Sequence, residues 1–594
     1  MVKDMERWLV AAKKADFSEW SRTYNIDQVV ARIIRNRDVT EQEDVQKFLF
    51  GTLKECYSPW LLYGMEQVID ILINEIDRGK LIRVIGDYDV DGICSSYILT
   101  YGLQRLGARV DTAIPHRMKD GYGLNEHLIK EAHEDGVDCI ITCDNGIAAI
   151  EQVKMAKELG MKVIITDHHE VPFEVSDGIR EEILPPGDAV VNPKLQKCTY
   201  PFKNICGAVV AYKVIQALWE KKQEQLAVDM ITELLPFAAM ATVCDVMELK
   251  DENRIIVKEG PRLLGITGNY GLRALFEVNE LEVSSATAYH LGFVIGPCLN
   301  ATGRLDTALR ALTLLQSKRK EEAMVAAREL KELNDSRKNL TLKGVEDAEK
   351  QIQEQQLFLD KVMVVYLPAV HESLAGIIAG RVREKYHHPV FVLTDGEEGI
   401  KGSGRSIETY HMYDAMIQVK EYFSKFGGHK MAAGLTLAHR DVEGFRKAIN
   451  KKACLTEEDF IPIVHIDVPM PMEYADLGLV KQLQLLEPFG VGNPKPLFAQ
   501  KKVPFVGARR IGATGNYARF IVEVMRNGHM IREELMYFGD VEAFCRFLDE
   551  KYGKRSAENL FEGIGRFEIS ITYQTGINVY RGRESMQFIM QNYC

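Results

Sequence analysis

Between residues 81 and 192, five short apolar runs alternate with amphipathic helical stretches: LIRVIG (81–86), ARVDTAI (108–114), VDCIIT (137–142), MKVIIT (161–166) and DAVVN (188–192). Such alternation predicts a parallel α/β sheet. In an open parallel sheet, the loops leaving the carboxyl ends of the strands converge and build the site. Four of the runs lead at once into ligand-type residues, namely DYDVDG, PHRMKDG, CDNG and DHH. The placement of these polar groups therefore already points to one cluster.

Its sharpest element is Asp87-Tyr88-Asp89-Val90-Asp91-Gly92, three carboxylates on alternate residues at the end of a strand. Carboxylates this close repel one another unless cations neutralise them, which implies a hard-metal site. An EF-hand loop also begins D-x-D-x-D-G, but its twelfth position should be a bidentate Glu and a helix should precede it. Here that position is Ile98 and a strand precedes. Asp144, in Thr142-Cys143-Asp144-Asn145-Gly146, and Asp167-His168-His169 lie at two further strand ends. A lone histidine is more often structural than a ligand, whereas a His-His pair beside Asp at an acidic sheet edge reads as a ligand. Asp245, in Val243-Cys244-Asp245-Val246, could close the cluster, although taken alone it would be a helix cap. Several aspartates with one or two histidines and no thiolate favour Mn²⁺ or Mg²⁺ over zinc. One ion does not need so many carboxylates. A pair of ions about 3.5–4 Å apart, bridged by a shared aspartate, activates water and stabilises in-line displacement at phosphorus. The residues alone thus indicate phosphoester hydrolysis.

At about 100–200 residues per domain, 594 residues suggest about three to five domains. The sequence predicts a helical leader over 1–50, the sheet domain over 51–215 and a helical region over 216–356 that carries Asp245. From Gly303 to Gln356 there is no proline and one further glycine, Gly344, so a long, charged, solvated helix is expected to connect domains. Strand-like VMVVY (362–366) and PVFVLT (389–394) flank a small-residue helix around Leu374–Tyr386 and predict a second, smaller α/β domain over 357–455. Short β-like runs with glycine turns over 456–594 predict a small all-β barrel. Eleven cysteines without a CxxC pair argue against a disulfide framework and a zinc ribbon, and reduced thiols are expected. No apolar run reaches the roughly 18 residues that span a bilayer, so a soluble, cytoplasmic chain with no membrane association is expected. A net charge of −11 leaves any nucleic-acid site to a local patch. Residues 501–522 offer one, with Lys501, Lys502, Arg509, Arg510 and Arg519, no acidic residue, and Phe505, Tyr517 and Phe520 interleaved. Cations for phosphates and aromatics for bases suit a single-strand groove.

In the order VIGDYDVDG, TCDNG, TDHH and VCD, these motifs resemble those of the DHH phosphoesterase superfamily. Asn300-Ala301-Thr302-Gly303-Arg304, Gly402-Ser403-Gly404-Arg405-Ser406, Phe426-Gly427-Gly428-His429 and Glu487-Pro488-Phe489-Gly490 narrow the resemblance to the RecJ exonucleases, over about residues 50–594. The resemblance implies a DHH domain, a DHHA1 domain and an OB-fold. It makes Asp87, Asp89, Asp91, Asp144, His168 and Asp245 the metal ligands, with Asp89 or Asp144 bridging, and gives His169 contact with the scissile phosphate. Arg405 and His429, with Ser403 and Gly428 beside them, would face the metals across a cleft. Asn300 and Arg304 would bind the backbone or the incoming end, and Arg509, Arg510 and Tyr517 would bind single-stranded DNA on the OB-fold. The activity implied is 5′→3′ hydrolysis of single-stranded DNA to mononucleotides in recombination and repair. The resemblance further implies a RecQ-type helicase and a single-strand-binding protein as partners, and a cleft formed within one chain favours a monomer. The alternative within the superfamily is a phosphodiesterase for short RNA, bisphosphorylated or cyclic nucleotides. Outside the enzymes stands a DNA-binding replication factor that has lost catalysis, which should lack metal ligands that this chain retains.

Overall fold

The computed structural model describes residues 6–594 except 118–119, 122, 177–178, 223–229, 398 and 581. Two residues of the PHRMKDG loop, Met118 and Lys119, thus lie outside the described residues. Packing divides the chain into two compact units, Leu53–Ile461 and, together, Met1–Thr52 with Pro462–Cys594. No described helix is long and apolar enough to cross a membrane.

The first unit contains the expected parallel sheet, in the spatial order Arg109–Ala113, Leu81–Ile85, Cys139–Cys143, Lys162–Thr166 and Ala189–Val191. Alternate strand residues feed two cores. Ile82, Val84, Cys139, Ile141 and Ile164 pack with the helices Val90–Arg105 and Gly207–Lys221, while Ile85, Ile140, Val163 and Ile165 pack on the other face. After Leu81–Ile85 the chain adds a strand on one side, then returns to pair Cys139–Cys143 on the other. That reversal is a topological switch point, where the loops part and leave a crevice. DYDVDG and CDNG flank it.

The connector is a helix of 35 residues, Lys320–Glu354. It is less solvated than its charges suggest, because Ala323, Ala327, Leu330, Asn334, Thr341, Gly344, Ala348 and Ile352 form a buried stripe at helical spacing. Beyond it lies a second five-stranded sheet in the order Phe423–Gly428, Ala432–Leu437, Gly399–Arg405, Val390–Gly396 and Met363–Tyr366, with only the last pair parallel.

The second unit holds a closed five-stranded barrel, Phe498–Ile511, Tyr517–Arg526, His529–Tyr537, Arg583–Tyr593 and Phe567–Tyr580 in spatial order. Helices Val541–Tyr552 and Ser556–Phe561 precede its last two strands. The N-terminal leader has its three helices, Phe17–Tyr24, Gln28–Asn36 and Gln42–Phe50, but also a strand that the sequence reading lacks, Arg7–Val10, which pairs in parallel with Ile463–Ile466. Val30, Ile33 and Ile34 share the barrel's hydrophobic core, so the leader is part of that unit's fold.

Candidate metal centre

The carboxylates gather where the strand-end loops meet. Gly92 allows the DYDVDG turn, since a Cβ there would stand 2.4 Å from the Asp87 carbonyl oxygen. Asp89 caps the helix Val90–Arg105, accepting from the Gly92 amide at 3.0 Å. Asp91, in the first turn of that helix, accepts from the amides of Gly207 and Ala208 at 2.7 Å each, at the start of another helix. Gly207 also presses on the second loop, where a Cβ would come 2.7 Å from the Asp144 Cβ. Asp144 (φ 61°) and Val246 (φ 57°), directly after Asp245, both occupy the left-handed region. That conformation is costly for a β-branched residue and concentrates at functional sites.

Three groups of side chains place one donor atom each within 4.8 Å of the others: Asp87, Asp89 and Asp144; Asp91, His168 and Asp245; Asp144, His168 and His169. Asp144 and His168 each belong to two of them and Asp89 to one, so of the two carboxylates expected to bridge, the one common to two groups is Asp144. His168 Nε2 lies 3.0 Å from Asp144, 3.5 Å from Asp91 and 3.8 Å from Asp245. Burial and then the charge of Asp89 push the Asp87 carboxyl up to about 7, and burial with Asp91 and Asp89 pushes Asp245 up to about 8. Burial followed by the neighbouring aspartates raises Asp89 and Asp144 as well. Burial lowers His168, keeping a neutral ring that can donate a lone pair. The Asp87 Oδ1 is buried with no hydrogen-bond partner among the described residues. An all-oxygen and imidazole donor set, mutually repelling and partly orphaned, fits two hard divalent cations.

Asp167, absent from the candidate ligands read in the sequence, turns out to hold the DHH loop together. Its carboxylate accepts from the amides of Ile147, His168 and His169 and from His169 Nδ1 at 2.8 Å. Burial opposes its ionisation, but the His169 hydrogen bond and charge outweigh that and hold it below the usual range. Asn145 donates to the carbonyls of Ile85 and Cys143, tying two strand ends together.

Cations surround the acids. Arg117 stands over the Tyr88 ring at 4.6 Å. Burial, then Arg117 and Arg337, push Arg304 down to about 10. Asn300 and Arg304 line a cavity of about 120 Å³ with Val90 and Cys244, the chain neighbours of the cluster residues Asp89, Asp91 and Asp245. Arg304 Nη1 donates to the Ser373 carbonyl at 2.8 Å and the Ser373 hydroxyl returns a bond to the Arg304 carbonyl at 3.0 Å, which joins the connector region to the second sheet's helix Glu372–Tyr386. Ser403 and Arg405 approach that helix at Gly376, where a Cβ would meet both at 2.8 Å. His429 and Gly428 lie in an exposed turn of the second sheet, with the His429 amide bonded to the Ala432 carbonyl at 2.8 Å, so their hydrogen bonds are local to that turn. On the barrel, Arg509 and Tyr517 are exposed, whereas Arg510 pairs with Glu542 at 2.6 Å and Arg519 with Glu534 at 2.9 Å. Phe505 and Phe520 are core residues with rings 5.2 Å apart, so alternation along the strands sends them inward and leaves Tyr517 as the patch's one exposed aromatic.

Residues 81–242 match the N-terminal domain of the DHH family, 359–453 the DHHA1 domain and 466–592 the RecJ OB domain. A curated relative from Bacillus subtilis, the single-stranded-DNA-specific exonuclease RecJ, is 35% identical over 88% of this chain, and the chain spans 65% of that relative's length. The protein of the same description from Haemophilus influenzae is 31% identical over 94% of this chain and 95% of its own. Among solved structures, RecJ of Thermus thermophilus in complex with Mn²⁺ superposes over 100% of this chain and 80% of its own, with a TM-score of 0.79 and 27% identity. With three domain matches in series, a relative matched over 95% of its own length and a donor cluster at the matching strand ends, the chain belongs to the RecJ family.

Proposed function

We propose that this protein is a 5′→3′ exonuclease that hydrolyses single-stranded DNA to mononucleotides with two divalent ions, Mn²⁺ or Mg²⁺. The observation that carries the reading is the continuity of the donor groups: Asp144 links Asp87 and Asp89 to His168, and His168 links Asp144 to Asp91 and Asp245, so two adjacent hard cations would find ligands there. Asp87, Asp89 and Asp144 would hold one ion, and Asp91, His168 and Asp245 the other. Bound there, the ions supply an activated water and neutralise charge on the phosphate.

The chain's own residues then position the strand. Asp167 orients His169 by accepting a hydrogen bond from Nδ1–H, so that Nε2 would face the phosphoryl oxygen. Burial pulls the His169 pKa down, but the hydrogen bond and charge of Asp167 leave it raised, which favours the cationic ring at that contact. Arg304 and Asn300 bind the backbone or the incoming end, and Ser403, Arg405, Gly428 and His429 contact the phosphate from the second sheet, with cationic groups opposing the charge of the transition state. Arg509, Arg510 and Tyr517 bind the strand on the barrel. Hydrolysis thus belongs to the sheet domain and Asp245, phosphate contact to 357–455 and strand capture to 456–594. The RecJ-type barrel match at 466–592 supports a polymeric strand over a small nucleotide as substrate. We further propose a cytoplasmic monomer that works with a RecQ-type helicase and a single-strand-binding protein in recombination and repair.

The test uses the purified chain with Mn²⁺ on 5′- and 3′-labelled oligonucleotides, single- and double-stranded, DNA and RNA, with Asp89→Ala and Asp144→Ala as controls. Single-stranded DNA should lose its 5′ label as a mononucleotide while 3′-labelled strands shorten stepwise, and both variants should be inactive. Blunt duplex should resist digestion until a helicase is added. Hydrolysis of short RNA or small nucleotides with long DNA left intact would overturn the substrate assignment.

A further inference from the structure

The helix that carries Asn300 and Arg304 begins four residues before Gly292, its first residue to line the cavity. It runs from Ala288–His290 through a π-helical turn, Leu291–Ile295, into Gly296–Leu305. π-helical turns inside α-helices often mark functional sites. One side of this turn is pinned beside the metal ligand Asp245. A Cβ on Gly292 would stand 2.6 Å from Val243, and one on Gly296 would stand 2.3 Å from the Cys244 sulfur. Cys244 Sγ also lies 3.7 Å from the Leu291 carbonyl oxygen.

On the same turn stand two aromatic residues that pack against no core. Tyr289 is 63% exposed and Phe293 is 68% exposed. Their rings stack on each other, with centroids 5.1 Å apart and planes at 18°. The Thr287 amide donates to His290 Nδ1 at 3.1 Å, which caps the helix start, and His290 meets the Tyr289 ring edge-on at 5.9 Å. The pair is therefore ordered as well as exposed. Gly292, the residue before Phe293, lines the cavity together with Gly296, Asn300 and Arg304, so the aromatic pair stands at the cavity's edge on the same helix. At no more than about 1.5 Å of rise per residue, Phe293 lies within about 10 Å of Asn300 along the axis. That distance spans up to about three stacked nucleotides at roughly 3.4 Å each.

We propose that Tyr289 and Phe293 form a stacking platform for bases of the single strand on the 3′ side of the scissile bond, within about three nucleotides of the Asn300 contact. The proposal rests on the exonuclease reading above and adds a part to it. The outer faces of an exposed, near-parallel aromatic pair are costly in water and bind any base, since every base has a π-face. The platform is continuous with the cavity through a single helix, so a strand held on it is aimed at Asn300 and Arg304 and then at the metals. A duplex hides its base faces and cannot use it. The platform thereby contributes to strand specificity through the bases, in addition to any limit set by the width of the cleft.

The experiment compares the full chain with Tyr289→Ala, Phe293→Ala and the double variant, in Mn²⁺, on a long single strand and on a 5′-phosphorylated dinucleotide that reaches only the cleaved bond. On the long strand the double variant should raise KM by roughly 10-fold to 100-fold with kcat little changed. Dinucleotide hydrolysis and Tm should stay at the parent's values, and Tyr289→Phe should behave like the parent. A fluorescent 2-aminopurine at the third nucleotide from the 5′ end, bound without metal, should be quenched by the parent and not by the double variant. An unchanged KM on the long strand, or an equal loss on both substrates, would overturn the platform. If the unaltered protein fails to digest long single strands, the exonuclease reading falls first and the platform falls with it.

Discussion

The carboxylate of Asp167 accepts a hydrogen bond from Nδ1 of His169 at 2.8 Å, and this bond orients the one half-exposed imidazole in a cluster built of carboxylates. Asp167→Asn preserves the shape and removes the charge. Partners of this kind contribute about 10- to 100-fold in activity or affinity. Without the Asp167 charge the His169 pKa falls, so if the cationic ring binds phosphate, the alkaline limb of the pH–rate profile moves to lower pH. The expected result is a kcat reduced about 10- to 100-fold with that shift. An unchanged profile would contradict the role given to His169.

Asp144 is shared by two donor groups, and among the described residues it is the side chain that links the Asp87–Asp89 pair to the histidines. Asp144→Ala should therefore weaken the loading of both ions, with apparent Mn²⁺ affinity down by more than about 100-fold and hydrolysis lost. Titration calorimetry reads both stoichiometry and affinity. Loss of one ion with the other retained at parental affinity would show that the position is not shared.

Folded-state pKa values of Asp87 and Asp245 are raised to about 7 and about 8, first by burial. A carboxyl raised on folding binds more protons in the native state, so its contribution is fully present below about pH 4 and is lost as pH rises through the folded pKa. Metal-free protein should accordingly lose stability between about pH 4 and pH 8, and divalent ions, which replace those protons, should restore more of it at pH 8 than at pH 5. Thermal melts across that range with chelator or with Mn²⁺ provide the check. A metal-induced Tm gain independent of pH would refute it.

Gly207→Ala places a methyl 2.7 Å from the Asp144 Cβ and displaces the amides that hold Asp91. Overpacking of this kind costs about 1–3 kcal/mol. Chemical denaturation should show that loss, and Mn²⁺ binding should weaken with it because two ligands move. Parental metal affinity in the variant would mean that the helix start does not position them.

In the barrel unit, Arg37 and Asp467 form a buried ion pair, at 2.5 Å and 3.1 Å, that joins the leader to the segment before the barrel. Removing one partner of a buried pair leaves an uncompensated charge and costs about 3–5 kcal/mol. Asp467→Ala should lower the unfolding midpoint of that unit in the full chain, as followed by denaturant titration, while Asp467→Asn should lose less. A midpoint equal to the parent's would show that the guanidinium is not confined.

What the sequence determined by itself is local. Each strand of the first sheet was legible as an apolar run, and Asp87, Asp144 and Asp167 as polar residues just after one, because a strand's end and the loop it feeds are neighbours in the chain. Asp87, Asp144 and His168 needed only that rule and the repulsion among acids. Tertiary structure decided what depends on pairing between distant segments. The amides of Gly207 and Ala208 reach Asp91 across 116 and 117 residues, and no local signal marks a backbone N–H as a partner. The same separation hides the Arg7–Val10 strand, whose partner lies at Ile463–Ile466, and the Arg37–Asp467 pair. Phe505 and Phe520 look like Tyr517 in the sequence, but barrel closure turns them inward and Tyr517 outward. Which side of a strand faces a core, and which charges a fold brings together, are fixed only when the chain closes on itself, since burial and Coulomb energies depend on distance in space.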